Sequence, residues 1–281
     1  MMKDVFFIER DPYAPIRHCY AVNKVLYESK SDYQEILVLE SPEFGKLLVL
    51  DGVVQLDEKY EFMYHEYLAH VPLHAHPNPE DVLIIGGGDG GTLREVLKHE
   101  SVKRAVLVDI DKEVIEVSKK FFPTLSSGFD DPRSIVVNED GYKYIQDYEG
   151  EFDVVIVDST DPVGFAHVLT TEDFFRFVHR ALKDDGIFVG QTESIHYHLD
   201  MVVKVQKNLQ RVFPIVDLYT SVVPIYAGYW WTYSIASKKH PVREPSREVK
   251  VQTKIYSADM HRYAFLPESF YKSILEGGFR Y

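Results

Sequence analysis

The sequence DVLIIGGGDGGTLREVLKH, residues 81–99, decides how the rest of the chain is interpreted. Residues 82–85 are apolar, five of the next six residues are glycine, and helix-forming residues begin at Thr92. The order strand, glycine loop and helix is typical of nucleotide-binding sheets, in which backbone amides at a helix start face the ligand. We therefore predict a nucleotide or nucleoside site at this loop.

Asp89 is the unusual member of the glycine loop. A carboxylate here would repel the pyrophosphate of a dinucleotide, so it favours a ligand whose nearby end is cationic or uncharged. An NAD-dependent oxidoreductase would use the same glycines, but Asp89 argues against that class. A structural alternative stays open at this point, in which Asp89 only caps the following helix.

Composition excludes several classes of protein. The chain has 281 residues and a formal net charge of −13, which disfavours binding to nucleic acid or to an anionic membrane. A single cysteine, Cys19, excludes an intramolecular disulfide. No apolar run approaches the roughly 18 residues of a membrane span, and the first residues do not resemble a signal peptide. We expect a soluble cytoplasmic protein.

The order of predicted elements divides the chain into three parts. Residues 1–58 have the pattern of a small antiparallel β domain, with strands predicted at 20–27, 35–40, 46–50 and 53–56. Residues 59–80 contain a helix at 61–71 and a proline-rich linker. In residues 81–281 strands and helices alternate, which predicts an α/β domain with a doubly wound, mostly parallel, Rossmann-like sheet.

Acidic residues follow four successive predicted strands of the second domain. They are Asp89, Asp109, Asp140 and Asp158. Ligands of open parallel sheets bind outside the carboxyl ends of the strands, so we expect these carboxylates to share one crevice. Each of them alone could instead be a helix cap or a turn residue.

The spacing of the acids suggests individual roles. Asp109 lies 18 residues after Gly91, where an acid typically binds the ribose hydroxyls, and Asp140 with Gly141 could contact an adenine amino group. Asp158 and Asp161 would add two carboxylates beside Asp89, which favours a polycationic ligand. The alternative for this pair is an Asx turn before a proline.

Motifs along nearly the whole chain resemble those of the spermidine synthase family of polyamine aminopropyltransferases. They are YQEILV (33–38), LVLDGVVQ (48–55), EFMYHE (61–66), HPNP (76–79), GGGDGGTLREVLKH (86–99), DSTDP (158–162), ALKDDG (181–186) and YSADMHRYAFLP (256–267). The resemblance implies an N-terminal β domain and a methyltransferase-like sheet domain, in agreement with the elements predicted above.

The resemblance also implies roles for individual residues. Asp158 would be the catalytic base, and Asp89 would hold the aminopropyl ammonium of decarboxylated S-adenosylmethionine. The donor nucleoside would be bound by Gln34, Asp109, Asp140 and Gly141. The acceptor amine would lie among Tyr64, Asp161 and Tyr226, with the segment after Asp161 closing as a lid. We also expect His65 to border this amine pocket.

The reaction implied by the resemblance transfers an aminopropyl group to a di- or polyamine and releases methylthioadenosine. Putrescine is the expected acceptor, and agmatine, cadaverine and longer amines stay open. The donor is a co-substrate, and no cofactor or metal is expected. The oligomeric state that is usual in the family favours a homodimer or homotetramer. Two rival functions are a methyltransferase that uses intact S-adenosylmethionine and a non-catalytic polyamine binder, which should have lost the base at Asp158.

Three positions depart from the family pattern. Asp109 stands where many members have glutamate, Phe165 where proline is common, and Ala227 follows Tyr226 where the family usually has proline. The last two affect the lid and the acceptor pocket. The spacing of His70 and His74 is that of helical metal ligands, but we expect Pro72 to break the helix between them, and no acid completes a set.

Overall fold

A computed structural model describes residues 5–11, 14–160 and 164–277, with backbone only for 164–166. Asp161 and the side chain of Phe165 therefore lie outside the described part. Within that part, no helix is both long and apolar enough to span a membrane.

The N-terminal β domain consists of two antiparallel sheets. One pairs β1 (Val5–Arg10) with β2 (Arg17–Val22), and the other contains β3 (Lys24–Lys30), β4 (Glu35–Ser41), β5 (Gly45–Leu50) and β6 (Val53–Asp57). The prediction of one strand over 20–27 was wrong, because the chain changes sheets at Asn23: β2 pairs with β1, whereas β3 pairs with β4. An alternating apolar pattern continues through such a change and does not reveal it.

Helix α1 (Phe62–Ala75) links the two domains and corrects the prediction about Pro72. Pro72 lies inside the helix and does not end it. A proline removes only its own backbone donor, and every residue of α1 from Tyr64 to Ala75 is buried. Packing on all sides therefore outweighs the lost hydrogen bond, and the linker is confined to the few residues before Asp81.

The second domain contains a seven-stranded mixed sheet. Its strands are β7 (Asp81–Gly86), β8 (Arg104–Asp109), β9 (Ser134–Asn138), β10 (Phe152–Asp158), β11 (Leu182–Ser194), β12 (Ile215–Val222) and β13 (Trp230–Ser237), in the order β12-β13-β11-β10-β7-β8-β9. Strands β7 to β11 pair in parallel, and β13 joins β11 and β12 antiparallel. The predicted fold class is confirmed by this sheet and by the small β domain before it.

Helices cover both faces of this sheet. They are α2 (Gly91–Leu97), α3 (Lys112–Phe121), α4 (Gly141–Tyr144), α5 (Glu172–Ala181), α6 (Leu199–Gln210), α7 (Ala258–Ala264) and α8 (Glu268–Leu275), with short 3₁₀ turns at Ser126–Asp130, Ile145–Asp147 and Gly164–Thr170. Their apolar stripes bury the sheet, whose strand β10 is buried along its whole length.

The sheet reverses its winding direction between β7 and β10. From β7 the chain adds β8 and β9 on one side, and then β10 and β11 on the other, so the glycine loop after β7 lies at the switch point. Ligands of doubly wound sheets bind at this point. The N-terminal β domain packs beside it, since Ile36 and Leu48 share an apolar cluster with Val114 and Phe122 of the segment around α3.

Candidate active site

One cavity lies at the carboxyl edge of the sheet, beneath the N-terminal β domain. Asp89, Asp109, Asp140 and Asp158 all line it, together with residues of β5 and β6 such as Leu48. The strand ends therefore bring the four acids into one crevice, as their spacing predicts. Gln34, Tyr64, His65, Gly141 and Tyr226 line the same cavity.

The end of the cavity that is predicted to bind a nucleoside contains Asp109. Its Oδ2 accepts a hydrogen bond from the Gly88 amide at 2.9 Å and its Oδ1 accepts one from the Asp111 amide at 2.8 Å. Burial raises the pKa of Asp109 to about 6, and these two bonds oppose that rise. Asp111 also accepts a hydrogen bond from the Gln34 side-chain amide at 2.8 Å. This bond fixes Gln34 near Asp109, the residue that is predicted to bind the ribose.

Asp140 lies both at a helix start and on the wall of the cavity. Its carboxylate accepts the Tyr142 amide at 2.9 Å and so caps α4, while the residue also lines the cavity next to Gly141. A helix start that faces the cavity from this side can present backbone amides to a base.

Asp158 lies at the end of β10, opposite Gly86 of β7. Its Oδ1 accepts a hydrogen bond from the Tyr64 hydroxyl at 2.8 Å, and its Oδ2 accepts one from the Thr92 hydroxyl at 2.6 Å. Burial, followed by the negative charge of Asp89, raises the pKa of Asp158. The result is a carboxylate with fixed orientation and increased basicity, as a general base requires.

Asp89 is not the bare carboxylate that the sequence suggested. Its Oδ1 accepts a hydrogen bond from the Gly91 amide at 2.6 Å, so Asp89 does bind the start of the helix. The same oxygen lies 3.3 Å from His65 Nε2. Burial alone would raise the pKa of Asp89, but the charge of His65, together with the hydrogen bonds from His65 and from the Gly91 amide, outweighs burial and lowers that pKa. The residue therefore combines the predicted helix contact with a position on the cavity wall.

Gly91 is required here by a side chain of the protein itself. A Cβ at this position would overlap the His65 imidazole. The third glycine of the fingerprint usually permits close helix–strand packing in a nucleotide fold, whereas here it makes room for a histidine beside Asp89. The position of His65 therefore requires a glycine at this place in the loop.

The side of the cavity that is predicted to hold the acceptor amine, called the acceptor side below, has an aromatic wall. Tyr64 packs edge-on against Tyr226 at 5.6 Å between ring centroids, and Tyr226 lies 4.5 Å from Trp231. The Tyr226 hydroxyl donates to the Gln55 carbonyl at 2.7 Å, which ties β6 to this wall. Ala227 lines the cavity next to it.

The far end of the acceptor side contains acids that sequence reasoning missed. Glu9, Asp11 and Glu193 line the cavity there. His198 connects two of them, with Nε2 at 3.2 Å from Asp11 and Nδ1 at 2.8 Å from Glu193. No motif identifies them, because they come from the first strand, the segment after it and β11, which only the tertiary fold brings together.

Two further site residues were missed although the sequence carries a signal for them. Thr92 follows the glycine loop in the first turn of α2, where a hydroxyl can face the end of the neighbouring strand. Glu61 precedes His65 by four residues on the predicted helix, and such pairs lie on one helix face. Glu61 Oε2 lies 2.6 Å from His65 Nδ1.

Continuation of α1 through Pro72 brings His70 and His74 together with His99 in a buried cluster. Arg247 donates to His99 Nδ1 at 2.6 Å, so we place the His99 proton on Nε2, which donates to His70 Nδ1 at 2.8 Å. His70 then donates from Nε2 to Glu95 at 3.0 Å. The argument that Pro72 separates the two helical histidines was therefore wrong.

Hydrogen bonds occupy most of the ring nitrogens of this cluster. Burial, followed by the Arg247 charge, lowers the pKa of His74 to about 3, and its Nδ1 bonds the His70 carbonyl at 3.0 Å. A metal at the cluster would have to displace the bond from Arg247 and bring a dication beside a guanidinium. The expectation that the protein needs no metal stays a prediction.

Comparisons with known proteins identify the family. Residues 61–246 match the model described as the spermine/spermidine synthase domain, and residues 5–58 match the spermidine synthase tetramerisation domain. The chain belongs to the spermine/spermidine synthase family. It is an aminopropyltransferase, which confirms both the resemblance and the enzyme class predicted from it.

Individual relatives are similar over the full length of the chain. Polyamine aminopropyltransferase 1 of Aquifex aeolicus (strain VF5) is 80% identical over 280 residues, and the polyamine aminopropyltransferase of Hydrogenobaculum sp. (strain Y04AAS1) is 69% identical over 280 residues, each covering 100% of both chains. A crystal structure of spermidine synthase in complex with the transition state analogue AdoDATO has a TM-score of 0.92 and 39% identity, covering 98% of this chain and 97% of that one.

Proposed function

We propose that this aminopropyltransferase moves the aminopropyl group of decarboxylated S-adenosylmethionine to putrescine, giving spermidine and methylthioadenosine. The observation that carries the proposal is the placement of Asp89 and Asp158 in the same cavity as Asp109. The carboxylate proposed for the nucleoside and the two carboxylates suited to cationic chains thereby line one crevice.

The donor would occupy the side of the cavity formed by β7, β8 and α4. Asp109 and Gln34 would bind the ribose, and Asp140 with Gly141 would lie against the adenine. The aminopropyl ammonium would then face Asp89. This order follows the sequence of strand ends along the edge of the sheet.

The chemical step needs a neutral amine. An acceptor amine with a lysine-like pKa of about 10.4 costs roughly 4.6 kcal/mol to deprotonate at pH 7. Asp158 would accept that proton as the nitrogen attacks the carbon next to the sulfonium. A nitrogen–carbon bond forms, the carbon–sulfur bond breaks, and its electron pair stays on sulfur, which leaves as a neutral thioether. The positive charge on sulfur already activates the thioether as a leaving group, so the step needs no metal or cofactor.

The far end of the acceptor side supports a substrate with cationic groups at both ends. One amine of a diamine would lie at Asp158, within reach of Tyr64, and the other would extend toward Glu9, Asp11 and Glu193. The aromatic wall of Tyr226 and Trp231 would cover the apolar carbons between them. Asp161, which lies outside the described residues, is proposed as an additional acid near the reacting amine.

We expect Thr92→Val to shift the loss of activity on the acid side of the pH profile to a higher pH. Asp158 acts as an ionised base, so activity falls as the pH drops through its raised pKa. The Thr92 hydroxyl stabilises the ionised form, and a hydrogen bond to a charged group contributes about 1.5 to 3 kcal/mol, equivalent to about one to two pKa units. The acid limb of kcat/KM should move upward accordingly, while Thr92→Ser should restore the original profile. An unchanged profile for Thr92→Val would remove this role.

A homo-oligomer is proposed from the N-terminal domain. Residues 5–58 match a family model whose description names tetramerisation. In the single chain, Val5, Phe6 and Ile8 of β1 are 63, 53 and 55% exposed, which is unusual for apolar residues of one strand. Burial of this strand between copies is the expected assembly, and sedimentation analysis would distinguish a dimer from a tetramer.

The proposal is tested by a panel of amines offered with decarboxylated S-adenosylmethionine. The panel contains putrescine, cadaverine, agmatine and spermidine, and each product is identified by its mass. We expect putrescine to give the highest kcat/KM, with methylthioadenosine released in equal amount. Preference for another amine would correct the acceptor, whereas no aminopropyl product from any amine would contradict the proposal.

A further inference from the structure

Glu61 has no part in the chemistry described above, although it is buried directly behind the site. We propose that Glu61 is a positioning residue, which holds the His65 imidazole in its doubly protonated form beside Asp89 and Asp158 and thereby sets the pH range in which Asp158 can act as a base. The inference rests on the proposed role of Asp158.

The first step is the geometry of His65. Its Nδ1 lies 2.6 Å from Glu61 Oε2, and its Nε2 lies 3.3 Å from Asp89 Oδ1. A neutral imidazole has one N–H and could serve only one of these carboxylates, leaving a lone pair against the other. Only 2% of the His65 side chain is exposed, so water does not resolve the conflict. With both carboxylates ionised, the arrangement therefore requires an imidazolium.

The second step is the charge of Glu61 itself. Arg94 Nη2 lies 2.8 Å from Glu61 Oε2, and Arg94 Nε lies 2.8 Å from Glu95 Oε1. Burial alone would raise the pKa of Glu61, but His65 and then Arg94 outweigh it and lower that pKa to about 2. Glu61 is thus a permanent anion, anchored by a guanidinium that is itself anchored on α2.

The third step is the surroundings of His65. Helix α1 presents Glu61 and the Tyr64 ring, the glycine loop presents Asp89, and β10 presents Asp158. From the N-terminal domain, the Asp57 carboxylate is close enough for its pKa to respond to the His65 charge. Arg94 acts on His65 through Glu61. Burial alone would lower the pKa of His65, but Asp89 and Glu61 outweigh it and raise that pKa well above its usual range.

The imidazolium acts on the base directly. One nitrogen of His65 and one oxygen of each of Asp89 and Asp158 all lie within 4.8 Å of one another. A cation at this distance favours the ionised form of Asp158 and opposes the repulsion from Asp89. Without the imidazolium, Asp158 would become protonated at a higher pH, and turnover would already be lost at that higher pH.

Glu61→Gln tests the proposal because glutamine keeps the shape and removes the charge. We expect the acid limb of kcat/KM to move up by roughly one pH unit. Glu95→Gln is the matched control, since Glu95 is equally buried and binds the other side of Arg94 without contacting His65. It should leave the acid limb in place. Glu61→Asp retains the charge and should shift the limb less than Glu61→Gln.

A second readout does not depend on turnover. In ¹⁵N-histidine-labelled protein, with the His65 signal assigned by its loss in His65→Gln, the wild-type ring should show two protonated nitrogens at about pH 7 and a single one in Glu61→Gln. A singly protonated His65 in the wild type, or an acid limb unmoved by Glu61→Gln, would overturn the inference. If the wild type transferred no aminopropyl group, the proposed function would fail while the His65 spectrum still decided the protonation state.

Discussion

Asp158→Asn should lower kcat by about 10²- to 10⁴-fold, the range expected for loss of a general base. Asparagine has the same shape, and its polar atoms can still face the hydroxyls of Tyr64 and Thr92, which rotate to suit. The loss should therefore be chemical. Because the remaining reaction depends on amine that is already neutral, the residual rate should rise with pH and approach that of the wild type under alkaline conditions.

Nucleoside binding is the internal control for this variant. Methylthioadenosine is proposed to bind at the Asp109 end of the cavity and lacks the reacting carbon chain, so its Kd for Asp158→Asn should stay within about twofold of the wild-type value, as measured by calorimetry. Turnover within tenfold of the wild type across the pH range would remove Asp158 from the role of base. A parallel loss of methylthioadenosine affinity would show instead that the cavity had been disturbed.

Asp89→Asn should weaken binding of decarboxylated S-adenosylmethionine by roughly ten- to hundredfold. Loss of one charge contact near 4 Å corresponds to about 1 to 4 kcal/mol. The His65 imidazolium already offsets part of the Asp89 charge, so we expect the lower half of that range. The same offset reduces the repulsion that Asp89 exerts on the carboxylate of intact S-adenosylmethionine, and discrimination between the two donors should be correspondingly modest at this residue.

Methylthioadenosine again provides the comparison, because it has no ammonium. Its Kd should hardly change in Asp89→Asn, whereas Asp109→Asn, at the ribose end, should weaken methylthioadenosine and the decarboxylated donor to a similar degree. Equal loss of both ligands in Asp89→Asn would contradict the assignment of Asp89 to the aminopropyl chain.

The sequence predicted the parts of the fold that depend on local pattern. The strand and helix around the glycine loop, the parallel sheet and the four acids at strand ends follow from periodicity and from the geometry of doubly wound sheets. What it could not predict depends on packing. Pro72 remains helical because α1 is buried on all sides, and the change of sheets at Asn23 is decided by which strand lies alongside.

The sequence predicted where the candidate site lies but not the charge and hydrogen-bond contacts among its residues. From the sequence, the carboxylate in the glycine loop was interpreted as an isolated charge, yet Asp89 and Glu61 both contact the His65 imidazolium. Asp158 accepts a hydrogen bond from the Thr92 hydroxyl. The Glu61 and His65 pair could have been found from four-residue spacing on the predicted helix. The acids at the far end of the acceptor side carry no such signal, because tertiary folding brings them together from separate strands.

A competition between donors tests whether the protein transfers an aminopropyl group from the decarboxylated donor. Equal concentrations of decarboxylated and intact S-adenosylmethionine are offered together with putrescine, and the products are identified by mass. If aminopropyl transfer is the activity, we expect spermidine and methylthioadenosine in equal amounts, with no methylated amine. A methylated product accompanied by S-adenosylhomocysteine would contradict it.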